Sequence, residues 1–339
     1  MKKCFKIATA SIITAGCALA FTAGVAGCTT KNENEYKVYA PDGAPALSLY
    51  ALSNERYSNF TVSVVNAETI NVYVSGNEPQ ADFAILPVNA AVKLLGDGEK
   101  YRMLGTVTHG NLFLLKKADG ELIETTDDLS KLVGKTVGVI NLANVPGLTF
   151  KTILADNNIA FNELKDGASP ATDKVNLKAV DRAEVLPTTS DCDYFVAPEP
   201  AVSTKVNATG GKLSVAGNLQ ILYGGESGYP QAVAVAKATV YSSNKTVINK
   251  FVKALTDARE LLLSESVTAE EVVNTVSGWL VGDMKPTFTA DNLSKTVIEN
   301  CGIKYVAAQS CKSEVLAYMQ KVNEQSNGAY GTPADKFFG

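Results

Sequence analysis

Four short loops in this sequence set a proline or glycine beside a polar or acidic residue, just ahead of a helical pattern. They are Asp42-Gly43-Ala44-Pro45, Pro87-Val88-Asn89, Asn144-Val145-Pro146 and Pro198-Glu199. Each follows a β-rich run. A loop that leads from a strand into a helix offers free backbone N–H groups and the positive end of the helix dipole. Polar or anionic ligand groups sit well there. The same residues can simply start helices, as Pro45 and Pro146 would in a first helical turn. Taken as two pairs, they favour binding, because two loops per lobe facing across a cleft would enclose a small molecule.

Two side chains add chemistry. His109 is the only histidine, and it lies in Thr108-His109-Gly110-Asn111 between two β-rich segments. No carboxylate at a suitable spacing supports a general-base role, which leaves ligand contact or packing. Glu199 can reach a cleft and hold an amine or ring nitrogen, or it can complement the dipole of its own helix. The sequence has no Gly-x-Ser-x-Gly elbow, Walker loop, His-Glu-x-x-His or Gly-x-Gly-x-x-Gly after a strand. No catalytic residue and no cofactor is therefore expected. Cys-x-x-Cys pairs and His clusters are also lacking, so no metal site is expected.

The N-terminus carries a different signal. Lys2, Lys3 and Lys6 precede an uncharged stretch over 7–27 that ends in Val25-Ala26-Gly27-Cys28. A basic start, an apolar middle and small residues at the end describe a secretory signal. A cysteine directly after small residues is what diacylglyceryl transfer requires, so Cys28 is the expected lipidation site. The expectation is a signal peptide over 1–27, a polar tether over 28–35 and an extracytoplasmic domain anchored by lipid to the bacterial cell membrane. Of the six cysteines, Cys192, Cys301 and Cys311 then remain. Export permits disulfides. A Cys301–Cys311 bridge and three buried thiols are both open.

Cleavage leaves roughly 310 of the 339 residues, a size that suits two lobes. At 46% hydrophobic and 19% charged the chain can bury a core. Its net charge of −4 falls further when the three signal lysines leave. No basic tract is present to neutralise phosphates, which argues against nucleic acid.

The loops need elements to hold them. Strands are expected at 37–40, 60–65, 83–86, 103–107, 112–115, 136–140, 194–197 and 231–236. Helices are expected from Pro45, at 89–95 and 127–132, from Pro146 to about Asn157, and from Glu199. Further helices should cover 244–264, 268–280, 290–300 and 311–323, with Trp279 packed among them. Strands alternating with helices indicate an α/β fold. The pattern also repeats. A strand leads to Ala44-Pro45-Ala46-Leu47, and later another leads to Val145-Pro146-Gly147-Leu148. Asp82-Phe83-Ala84-Ile85-Leu86-Pro87 matches Asp193-Tyr194-Phe195-Val196-Ala197-Pro198. Two matches in the same order imply two lobes of similar architecture.

Several of these runs resemble a known family. Tyr39-Ala40-Pro41-Asp42-Gly43-Ala44-Pro45-Ala46-Leu47 resembles the first strand and loop of ABC-transporter substrate-binding lipoproteins of the nitrate/taurine/sulfonate/thiamine-precursor type. Leu104-Gly105-Thr106-Val107-Thr108-His109-Gly110-Asn111-Leu112, Gly134-Lys135-Thr136-Val137-Gly138-Val139 and Ala197-Pro198-Glu199-Pro200-Ala201 are similar to later segments of that family. The resemblance implies a two-lobed, periplasmic-binding-protein-like type II α/β fold with the ligand cleft between lobes. Lobe 1 would comprise 36–116 and 234–339, lobe 2 would comprise 117–233, and the crossings would fall near 115–120 and 228–234.

By the same likeness Asp42, Gly43, Ala44, Pro87, Asn89, Thr108, His109, Gly110, Asn111, Asn144, Val145 and Glu199 are the candidate ligand residues. The implied partners are a small-molecule solute and an ABC permease with its ATPase, and the chain is expected to act as a monomer. Loops with few arginines fit a small zwitterion or heteroaromatic compound better than a multivalent anion. The alternatives are a ligand receptor for a membrane signalling partner and an enzyme on the same fold. The cysteine-rich iron motif of a pyrimidine synthase related in fold is absent.

Overall fold

The computed structural model describes residues 35–165, 167–188, 191–224 and 228–339. The expected signal segment, Cys28 and the tether up to residue 34 lie outside the described residues. Glu35–Gly339 form one compact unit.

Among the described residues twelve strands make two six-stranded sheets. The first holds β1 (Tyr36–Pro41), β2 (Phe60–Val65), β3 (Phe83–Pro87), β4 (Tyr101–Thr108), β11 (Ala232–Lys237) and β12 (Ile303–Ala307). The second holds β5 (Leu112–Lys117), β6 (Thr136–Ile140), β7 (Phe161–Glu163), β8 (Val175–Val180), β9 (Tyr194–Pro198) and β10 (Leu213–Asn218). Their orders are β12-β4-β11-β3-β1-β2 and β10-β5-β9-β6-β8-β7. β1 runs parallel to β2 and β3, and β6 runs parallel to β8 and β9. In each sheet the strand that has just crossed over is antiparallel to both neighbours: β11 between β3 and β4, and β5 between β9 and β10.

The first crossing therefore lies at residues 109–111, ahead of the expected 115–120. Residues Leu112 to Leu115 are all buried, and that apolar run fills the middle of the second sheet rather than extending the first. The return lies between Tyr223, which ends a second-sheet helix, and Ala232.

Both faces of the first sheet are covered, so its central strands are continuous apolar runs. On one face lies the helix Lys245–Leu263. Asn244 caps it by accepting from Val247 N at 3.1 Å. Its buried stripe is Val247, Ile248, Phe251, Ala254, Leu255, Ala258 and Leu262, the three-and-four spacing of one helix side. Phe251 packs on Phe83 with ring centroids 4.3 Å apart and the rings tilted by 31°, and burying such a ring contributes about 1.5–3 kcal/mol. On the other face lie Val88–Leu95 and Ala308–Gln325. The core there continues through the helix Val145–Asp156 onto the second sheet, so one apolar cluster spans both sheets.

Four strands were not expected: β7, β8, β10 and β12. The helix expected over 290–300 is only Lys295–Asn300. Asn292 accepts from Thr289 N at 2.8 Å in a turn, and Ser294 starts the helix by capping Val297 N at 3.2 Å. The Cys301–Cys311 bridge is not formed, and all three thiols are free and buried. Cys301 ends the helix Lys295–Asn300 within one apolar cluster, whereas Cys311 opens the next helix within another. β12 lies between them in the chain. Trp279 packs between two of the core clusters, as expected. Among the described residues no helix is long and apolar enough to cross a membrane.

Candidate ligand site where the sheets cross

Residues 109–111 turn the chain from β4 into β5 in three steps. Gly110 has φ 70°. A Cβ there would lie 2.6 Å from Gln220 Cγ and 2.8 Å from Tyr229 Cε1, so only glycine fits. His109 N donates to Gly302 O at 2.8 Å, which ties the turn to the start of β12. Asn111 N donates to the buried Tyr229 hydroxyl at 3.3 Å. Glu199 N donates to Asn111 O at 2.9 Å. The return segment closes the junction: Gln231 N donates to Thr108 O at 3.0 Å, and Val88 N donates to Gln231 O at 2.9 Å. Thr108, His109, Gly110, Asn111, Glu199 and the Pro87–Asn89 corner are thus brought together around Gln231.

The side chains at this junction are polar and buried. Asn89, Thr108, His109, Asn111 and Glu199 are each at most 5% exposed. The imidazole shares a 3.0 Å hydrogen bond with Thr106 Oγ1 through Nε2. Its pKa is pulled down to about 4, first by burial and then by the positive charge of Lys304, so the ring is neutral at pH 7. A chain of amides runs beside it. Asn111 Nδ2 donates to Glu199 O at 3.5 Å, and Gln231 Nε2 donates to Asn111 Oδ1 at 2.7 Å.

Among the described residues, several polar atoms here are buried with no partner: Asn89 Oδ1, Thr108 Oγ1, His109 Nδ1, Gln231 Oε1 and Gln220 Nε2. Buried polar atoms are nearly always paired, and each one left unpaired costs about 1–3 kcal/mol. A cluster of them around one junction is therefore a candidate ligand site. Gln220 and Gln231 escaped the sequence reading, since a lone glutamine carries no spacing signal.

Both oxygens of the Glu199 carboxylate accept hydrogen bonds. Ser203 N and Ser203 Oγ donate to it at 3.1 and 2.9 Å, and Asn300 Nδ2 donates at 3.0 Å. The Ser203 contacts cap the helix Ala201–Ala208, and the Asn300 contact reaches elements packed on the first sheet. A cavity of about 270 Å³ opens beside it, lined by Ser203, Asn207, Asn292 and Asn300.

The remaining expected residues lie on two other loops, and the helix Ala44–Leu47 packs against β3 and β4. Asp42 Oδ1 accepts from Gly43 N at 2.7 Å, and Oδ2 accepts from Thr287 N at 2.7 Å. Its carboxylate therefore pins a distant segment to the first loop. Gly43, at φ 97° and ψ −147°, takes a conformation reserved for glycine and leads into Ala44–Leu47. Asn144 is exposed and Val145 is buried at the start of Val145–Asp156. Among the described residues neither shares a hydrogen bond with the junction.

Two α/β sheets that share a five-strand order (β4-β11-β3-β1-β2 and β10-β5-β9-β6-β8), joined by two crossings with a polar junction between them, define the two-lobed periplasmic-binding-protein-like fold. Solved structures of ABC-transporter substrate-binding proteins are similar to this chain. An ABC transporter protein from Parabacteroides distasonis superposes with a TM-score of 0.67 at 17% identity, over 91% of this chain and 99% of that one. The periplasmic aliphatic sulphonate binding protein of Escherichia coli gives 0.59 at 14% identity, over 90% and 91%. A Candida albicans protein described as having the generic periplasmic binding protein fold gives 0.52 at 12% identity, over 90% and 94%. At these identities the likeness is one of fold. No protein-family model matches the chain, and no curated protein matches it.

Proposed function

We propose that this chain is the solute-binding component of an ABC importer, held outside the cytoplasm by a lipid on Cys28. It binds a small polar or heteroaromatic solute between its two sheets and delivers it to a permease driven by an ATPase. The observation that carries this reading is the set of unpartnered buried polar atoms at the crossing. A solute hydrogen-bonded there touches strand ends from both sheets, and contacts to both lobes favour a closed state over an open one. The role is binding rather than catalysis, since Glu199 is engaged by Ser203 and Asn300 and, among the described residues, His109 has no carboxylate hydrogen-bonded to it.

The test is small-angle scattering of the full chain in mild detergent, paired with a thermal-shift screen of small solutes. A ligand at a hundred times its dissociation constant should add about 2.7 kcal/mol of stability, and the radius of gyration should fall with it. Stabilisation without any compaction would overturn lobe closure.

A further inference from the structure

We infer that the cavity beside Glu199 is a second binding site, separate from the junction, and that it takes a small primary alkylamine in its ammonium form. The inference stands whether or not a solute occupies the junction.

The cavity has two walls. One is the helix Ala201–Ala208 with Val215 of β10, and the other is the segment 291–300. Asn292 Nδ2 donates to Thr204 Oγ1 at 3.5 Å between them. Among the described lining residues there is none of Asn89, Thr108, His109, Asn111 and Gln231.

Charge selects the kind of occupant. Glu199 is 3% exposed, and it borders the cavity. The three groups that donate to its carboxylate, Ser203 N, Ser203 Oγ and Asn300 Nδ2, are neutral. A buried carboxylate is ordinarily paired with a cation, because neutral donors replace only part of its lost hydration. Among the described lining residues there is no lysine, arginine or histidine, and Asp291 adds an exposed second carboxylate. The cavity therefore attracts a cation and repels an anion.

The neighbouring groups present lone pairs. A carboxylate can only accept, so Asn300 must turn Nδ2 toward it at 3.0 Å and keep Oδ1 as an acceptor. Ser203 Oγ gives its one proton to Glu199 at 2.9 Å, which leaves that oxygen only lone pairs to offer. A primary ammonium brings three N–H donors. Carboxylate, amide and hydroxyl oxygens supply one acceptor each.

Size separates an organic cation from a metal ion. The cavity holds about 270 Å³, and a water molecule takes only about 30 Å³, so a lone metal ion would leave most of the space to water. Val202, Val206, Val215 and Val297 give the lining an apolar part, which favours burial of an alkyl chain.

The test is isothermal titration of the full chain in mild detergent with n-butylammonium, n-butanol, tetramethylammonium and calcium. n-Butylammonium should bind. n-Butanol lacks the charge and tetramethylammonium lacks the N–H donors, so each should bind at least about tenfold more weakly. Glu199→Gln keeps the size and removes the charge, and it should weaken n-butylammonium about tenfold or more. Val215→Lys, at a position 43% exposed, tethers an ammonium at the cavity and should abolish binding, which covers the case in which Glu199→Gln does not fold. Binding that either variant leaves unchanged in a folded chain would overturn the inference. Equal binding of n-butanol would also overturn it, since the cavity would then be merely apolar. Calcium displacing n-butylammonium would overturn it in favour of a metal site. No binding of n-butylammonium would overturn it as well, and would leave the reading of the junction untouched.

Discussion

Asp82 and Asp193 occupy the same station in the two sheets. Asp82 Oδ2 accepts from Lys37 N at 3.0 Å, and its own N–H donates to Lys37 O at 2.9 Å. Asp193 Oδ2 accepts from Thr136 N at 2.8 Å, and its N–H donates to Thr136 O at 2.8 Å. Each aspartate thereby locks the entry of its strand onto the neighbouring parallel strand, one residue before the first paired positions. Replacing either by alanine should lower stability by about 1–3 kcal/mol. The Asp193 effect should be the larger, since that bond is part-buried and the Asp82 bond is exposed. The two losses should add, because the sites share no partner. Urea unfolding of the single and double variants measures this.

Gly110→Ala should destabilise the chain by about 1–3 kcal/mol, because an L-residue at φ 70° is strained, and its methyl meets Gln220 and Tyr229 at under 3 Å. Since the turn joins the two sheets, the loss should appear in global unfolding rather than as local fraying. Denaturant midpoints read alongside hydrogen exchange at β4 and β5 would show which occurs.

His109 makes stability depend on pH in a defined window. Its folded pKa of about 4 lies below the ordinary 6.5. Between those values the unfolded chain binds the extra proton, so stability rises with pH and levels off above 6.5. Acidification from 6.5 to 4 should remove about 2–3 kcal/mol through this one group. His109→Gln should flatten that part of the profile. Unfolding free energies of both proteins from pH 4 to 7 provide the check, and parallel profiles would exclude the histidine as the cause.

Asn300→Ala should loosen the interlobe contact without unfolding the protein. It removes the bond to Glu199 Oε1 and leaves the two Ser203 contacts in place. The expected stability cost is at most about 1.5 kcal/mol. The scattering radius without ligand should increase. The hydrogen bonds between Thr149 Oγ1 and Tyr318 OH at 2.7 Å, and from Asn292 Nδ2 to Thr204 Oγ1 at 3.5 Å, remain. An unchanged radius in Asn300→Ala would argue that Glu199 holds only its own helix.

Much of the frame is legible in the residues. The Asp-aromatic-strand-Pro pattern at Asp82 and Asp193 announces two like sheets, because the same local geometry needs the same carboxylate at the strand entry. The apolar periodicity of the helix Lys245–Leu263 fixes its buried side through a single spacing rule. β8 and β12 escape, because Val175–Val180 and Ile303–Ala307 are short and mixed in polarity. They become strands by pairing with β6 and β4, partners about 40 and 200 residues away. The fate of Cys301 and Cys311 is decided the same way, since ten residues of spacing permit a bridge and only packing places each thiol in its own cluster.

The sequence by itself determined the α/β class, the two-fold repeat, the loops that start helices and the turn at Thr108-His109-Gly110-Asn111. All of these follow from contacts within a few residues. Tertiary structure alone decided that Leu112–Lys117 belongs to the second sheet and that Asp42 tethers Thr287. It also decided that Gln220 packs against Gly110 and that Gln231 bonds Thr108 and Asn111 at the crossing. Hydrogen-bond satisfaction depends on which distant groups share a space, and no local pattern encodes that.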